Sequence, residues 1–262
     1  MPPSEESSAW ATLTRAPALG IPALTKALEI FGSARGIIEA SDASLERAGL
    51  PAAAREFLST AAAASSSAER EWLEKPGHHV VPFTDPRYPA LLRATERHPM
   101  ALYVVGNVDA LNDPQLAIVG SRNPTPQGRD TAHELSEYLA GRGLAITSGL
   151  ASGIDSAAHR GALAAQGITL AVLGSGIDVV YPRSNRSLSL EIRQQGALIS
   201  EFPLKTPPRR ENFPQRNGII AGLSLGTLVV EAARRSGSLI TAGRRSPTAG
   251  RYSRFRVRST VP

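Results

Sequence analysis

Between residues 101 and 231 six short apolar runs follow one another: ALYVV, LAIVG, LAITSG, TLAVLG, ALIS and GTLVVE. Stretches of helical length separate several of them, at residues 127–140, 155–165 and 185–194. Runs this short and this continuously apolar suit strands buried on both faces, and the intervening segments are long enough to cross back over a sheet. The pattern predicts a doubly wound, Rossmann-like α/β fold with a mostly parallel sheet. Residues 10–75 read differently, as short helices at 23–31, 34–39 and 52–73 broken by GIP, GS and GLP. They predict a small all-α unit. Its paired glycine turns resemble a helix-hairpin-helix, whose turns offer N–H groups to DNA phosphates, but a plain helical packing module fits the spacing as well. The expected division is a helical domain at 1–75, an α/β domain at 80–242 and a basic irregular tail at 243–262.

Three loops leave the carboxyl ends of predicted strands, and all are glycine-rich. In the first, LAIVGSRNPTPQG, Thr125 can cap a helix and Pro126 fits its first position, where a missing N–H costs nothing. The free N–H groups of that helix, its dipole and the Arg122 guanidinium would together receive a phosphate, with Gly120 and Ser121 beside them. A tight turn with no ligand is the plainer reading of this loop alone. The second loop, SGLASGID, carries Gly149 and Gly153; the third, GSGID, carries Gly174 and Gly176 and leads into Tyr181-Pro182-Arg183. Parallel strands put all three loops at one edge of the sheet, so they should line a common crevice. His159 is expected to be a structural histidine on a helix face, and Asp155 and Asp178 to be caps or loop braces rather than acid/base groups. Further on, Phe213 next to Arg216 is the aromatic-plus-cation pairing that stacks a base and holds a phosphate, although a buried Phe with a surface Arg would look the same.

Composition narrows the chemistry. The chain has 262 residues and no cysteine, and its five histidines have no ligand spacing, so no metal is expected. Neither a G-x-G-x-x-G fingerprint nor a P-loop lysine is present, which leaves no cofactor to expect. No apolar run approaches the roughly 20 residues of a membrane helix, and MPPSEESSAW carries acids where a signal peptide carries bases. A cytoplasmic protein without a membrane partner is expected. The net charge is +6, but six arginines at 244, 245, 251, 254, 256 and 258 supply it; without them the bases equal the 23 acids. Bulk charge is therefore no argument that the α/β unit binds nucleic acid.

Taken in order, VGSR, SGLASGID with AAH, AVLGSGIDVVYP, SEFP, FPQRN with IIAGLS, and EAARRSGSLITA resemble the DprA/Smf family of DNA-processing proteins, from about residue 83 to residue 242. DPRYPALL and PMALYVVGN agree with that family's lead-in, and the helical unit resembles its SAM-like domain. The resemblance implies a non-catalytic Rossmann-like protein that binds single-stranded DNA, shields it from nucleases and helps load the RecA recombinase in natural transformation. Carried over position by position, Arg122 and Arg183 would contact phosphates, and Phe213, Arg216 and Asn217 would form the adjoining wall. Where the family usually reads RNR, this chain has Arg216-Asn217-Gly218, so one cation is absent and a lower affinity is expected. Two other readings stand beside this one. Gly226-Thr227 followed by Glu231 faintly echoes the P-G-G-x-G-T-x-x-E signature of LOG-type phosphoribohydrolases, with the PGG missing and the Glu one residue too far on. A nucleotide-sensing module is the third.

The resemblance stops after SGSLITA at residue 242, where the family continues with a helix and a strand resembling VFAVPGSI and this chain gives GRRSP and alternating arginines. A shift of reading frame would account for the change, with a natural basic extension as the other reading; under a shift the sheet would lack a late strand and the helix that covers it. The homodimer and RecA contacts that the family implies depend on that later part of the domain.

Overall fold

A computed structural model describes residues 5–61 and 67–231. The helical region comprises α1 (Glu5–Leu13), α2 (Ile21–Phe31), α3 (Ala34–Glu39), α4 (Asp42–Arg47), α5 (Ala52–Ala61) and α6 (Ser67–Leu73). Its breaks are chemical. Gly32 ends α2 in the left-handed region at φ 79°, which a residue without Cβ adopts at little cost. Ser33 and Ser41 start α3 and α4 by accepting the N–H of Gly36 and Ser44. The helix expected over residues 52–73 is instead the pair α5 and α6. Neither α1 nor α4 was marked by a distinct apolar period.

The α/β region contributes β1 (His78–Pro82), α7 (Ala90–Arg93), β2 (Ala101–Gly106), β3 (Gln115–Gly120), α8 (Pro126–Ala140), β4 (Ala145–Ser148), α9 (Ile154–Ala164), β5 (Thr169–Val172), α10 (Arg186–Gln195), β6 (Ala197–Ser200), α11 (Asn212–Leu223) and β7 (Gly226–Val230). They form one seven-stranded sheet in the order β1-β2-β6-β5-β4-β3-β7. Strands β6 to β7 in that order pair in parallel. At the other end β2 lies antiparallel to β6 and β1 antiparallel to β2. The Rossmann-like expectation is met for a sheet that is mixed, and the ALYVV run belongs to its antiparallel wing.

Alternation along each strand sends side chains to two faces. Tyr103, Ala171 and Leu198 point to the face covered by the N-terminal helices and α10, while Leu102, Val104, Leu170, Val172 and Ile199 point to the face covered by α7 and α11. Ile118 and Ile146 pack beneath α8 and α9. The N-terminal helices join the first face directly: the Trp10 ring meets Phe83 edge-on at 5.8 Å, Trp72 meets Tyr103 at 5.8 Å, and Thr14 Oγ1 lies 2.8 Å from the Tyr103 hydroxyl. Among the described residues no helix is long and apolar enough to cross a membrane, and no cluster of His, Asp and Glu is placed to hold a metal. The reading of residues 243–262 as a basic, frame-shifted tail lies outside the described residues.

Candidate functional site

The loop after β3 starts α8 as its residues dictate: Thr125 is the N-cap, its hydroxyl accepting the Gly128 N–H at 3.1 Å, and Pro126 follows in the first turn. The anion at this terminus belongs to the chain itself. One Glu231 carboxylate oxygen accepts the Thr125 N–H at 2.8 Å and the other accepts the Thr125 hydroxyl. The helix terminus expected to receive a ligand phosphate is thus already met by Glu231, just beyond the end of β7, and what the loop leaves for a ligand is the exposed Arg122.

The glycines of the three loops are required by close approach to other parts of the fold. A Cβ on Gly120 would strike the Val230 carbonyl and Ile154; one on Gly176 would strike the Pro203 carbonyl and Asp178. Gly153, at φ +83°, lets the carbonyls of Ser121 and Arg122 come against the start of α9, where the Ile154 N–H donates to Ser121 O at 3.1 Å. Two glycines make room for side chains of the crevice itself. Gly149 leaves space for the Arg216 guanidinium and Gly174 for the Phe213 ring. Asp155 and Asp178 brace loops as expected, accepting the N–H groups of Ala151 at 3.3 Å and Lys205 at 2.8 Å. His159 is buried on α9, its Nδ1 2.7 Å from Thr169 Oγ1.

These loops and the start of α11 do converge on one crevice, lined by Arg122, Gly149, Ala151, Ser152, Gly174, Ser175, Tyr181, Pro182, Phe213 and Arg216. Asn212 fixes α11 to the third loop by donating to Gly174 O at 3.0 Å. On the crevice wall the Arg122 guanidinium carbon lies 5.3 Å from the Phe213 ring centre, with Arg216 at 5.8 Å and the Tyr181 ring 6.1 Å away. Arg122 and Tyr181 face solvent, Tyr181 with 49 % of its surface exposed. Arg216 does not: it is 4 % exposed and donates to the carbonyls of Gly149 and Val172, the latter at 2.8 Å. Burial pulls its guanidinium below its ordinary pKa, and the nearby Asp155 carboxylate opposes that; burial likewise pushes the Asp155 carboxyl up, with Arg216 opposing. Arg216 thus ties α11 to the ends of β4 and β5 and holds Phe213 in place.

The other residues singled out from sequence fall around the crevice rather than on its lining. Gly120, Ser121 and Gly176 brace the loops, Gly153 opens α9, and Asn217 is half-buried on α11. Arg183 is exposed and opens the 3₁₀ turn Arg183–Asn185, just past Tyr181 and Pro182. Tyr181 and Ser152 were passed over as individual residues. Tyr181 had a signal, an aromatic beside proline in a loop leaving a strand, where nothing in the core calls for it.

Fold and crevice define a class: a Rossmann-like α/β protein that presents aromatic faces and an arginine side by side at the carboxyl ends of its parallel strands, a surface suited to flat rings joined by anions. Within that class the chain belongs to the DNA recombination-mediator protein A family, whose model matches residues 79–248. It is 52% identical over 172 residues to Protein Smf of Escherichia coli, an alignment covering 65% of this chain and 46% of that protein. To DNA processing protein DprA of Bacillus subtilis it is 38% identical over 167 residues, covering 63% of this chain and 56% of the relative. The chain spans about half the length of the curated relatives it matches. The crystal structure of DNA processing protein A from Streptococcus pneumoniae is similar at a TM-score of 0.74 and 33% identity, over 90% of this chain and 82% of that one. A Helicobacter pylori DNA processing protein A, described for its single-stranded DNA binding mode, matches at 0.55 and 32% over 58% of this chain and 70% of that one.

Proposed function

We propose that this chain binds single-stranded DNA in the crevice between the three strand-end loops and α11, and that it acts as a non-catalytic mediator: it shields incoming DNA and passes it to the RecA recombinase in transformation or recombination. The observation that supports the reading is the Arg122–Phe213–Tyr181 wall, where two rings are available to bases and a solvent-facing guanidinium to a backbone phosphate. Stacking accepts any base because every base has a π-face, so binding without strong sequence preference follows. Membership of the family and the binding mode described for the Helicobacter pylori protein support the same substrate.

The enzyme reading has less to stand on. Glu231, its would-be catalytic carboxylate, is engaged at the start of α8. The test is binding of labelled single- and double-stranded oligonucleotides to the purified chain over a range of salt. Preferential, salt-sensitive binding of the single strand is expected. Equal binding of both forms, or release of free base from a nucleoside monophosphate, would overturn the reading.

A further inference from the structure

Past Ser152 the crevice does not end. A second pocket shares that residue and continues between α8 and α9, lined by Arg129, Asp130 and His133 from α8, Gly153, Ser156, Ala157 and Arg160 from α9 and its approach, and Asn185 from the turn after the crevice. It lies on the N-terminal side of the point where the two helices touch at Gly161, where a Cβ would strike the His133 carbonyl. Its far wall is held in place: Asn185 Nδ2 donates to Leu150 O and Ser156 Oγ, both at 2.9 Å. Arg129 and Arg160 are exposed, and neither makes a side-chain hydrogen bond or ion pair among the described residues. His133 faces Glu137 at 3.7 Å, and Asp130 is the one carboxylate on the lining, outweighed by the two guanidinium groups.

We infer that this pocket is a second phosphate subsite, in which Arg129 and Arg160 hold the backbone of a strand that leaves the crevice past Ser152. The inference rests on the single-stranded DNA reading and extends it to a path. Arg160 stands six residues into α9, about 9 Å along the helix from its start, so a phosphate held there lies beyond the reach of the crevice wall. Arg183 and Arg186, both exposed, lie within two residues of Asn185 in sequence and line neither pocket. Guanidinium groups suit the task because their planar donors match phosphate oxygens.

The experiment compares the full chain with its Arg129→Gln/Arg160→Gln variant, using thymidine oligonucleotides of about 2 nucleotides, roughly 7 Å at the spacing of about 3.4 Å between stacked phosphates and too short to span both subsites, and of about 18, near the upper end of the usual single-strand site size. The short strand fills the crevice alone. The variant is expected to bind it like the parent but to bind the long strand roughly tenfold more weakly, with a salt slope shallower by about 0.7 for each phosphate lost. Unchanged binding of both lengths overturns the subsite. Equal weakening of both also overturns it, because the arginines would then act on the crevice or the fold, which far-ultraviolet dichroism of the variant separates. A parent that binds neither length overturns the underlying reading and the inference with it.

Discussion

At the residue scale the decisive side chain is Arg216, and its role was hidden from sequence. An arginine next to a phenylalanine in FPQRN reads as a surface cation because arginine is almost never fully buried, and only the strand-end carbonyls of Gly149 and Val172 make this one an exception. The half of the pairing that faces a ligand is Arg122, ninety-one positions earlier in sequence, which no local spacing could connect to Phe213. Arg216→Ala leaves two carbonyls without their donor and Asp155 without its countercharge, and should cost about 3–5 kcal/mol in urea unfolding. A loss below about 1 kcal/mol would mean that the loops hold themselves. His159 gives a second check. Thr169 Oγ1 donates to Ile146 O, so it accepts from His159 Nδ1–H, and burial lowers the His159 pKa to about 3. The unfolded state binds a proton below about pH 6.5 that the folded state refuses until about pH 3. Stability therefore falls as pH falls through that window, by about 1.4 kcal/mol per pH unit from this residue. His159→Gln should flatten the dependence of unfolding free energy on pH between 4 and 6 by about one proton; an unchanged slope would show that His159 is accessible to protons in the fold.

At the scale of elements, legibility followed burial. The six strands from ALYVV to GTLVVE were visible because a strand covered on both faces is written as an unbroken apolar run, and Thr125-Pro126 placed the start of α8 within a residue. The strand HHVVP was not visible: its two histidines, its terminal proline and the proline-rich segment after it read as an approach, and its place at the sheet edge depends on pairing with β2. The direction of ALYVV was likewise hidden, since apolar runs record burial and not polarity. Glu231 shows what tertiary contact adds, a carboxylate just past β7 serving the N-cap of a helix 106 residues earlier. Thr125→Ala removes both the cap of Gly128 and a partner of Glu231, and should lower stability by about 1–2 kcal/mol as measured by denaturant unfolding. No change would mean that Pro126 and Glu231 start α8 unaided.

At the scale of the whole molecule, one sheet brings distant short motifs to a single edge, and a helical unit shares its core with that sheet through Trp10, Trp72 and Tyr103. The common crevice was legible from sequence because parallel strands force their terminal loops together. Which loop residues line it was not, since Gly120, Ser121 and Gly176 turned inward to brace while Tyr181 turned out. The proposal that single-stranded DNA is held in the crevice formed by these loops depends on Arg122. It is tested most directly by replacing Arg122 with alanine in the full chain and measuring single-stranded oligonucleotide affinity against salt, with folding checked by thermal unfolding. The expected result is roughly tenfold weaker binding on all sequences and a salt slope shallower by about 0.7, the loss of one phosphate contact. A folded variant that binds with the parent's affinity and slope would contradict the claim and move the DNA site elsewhere on the chain.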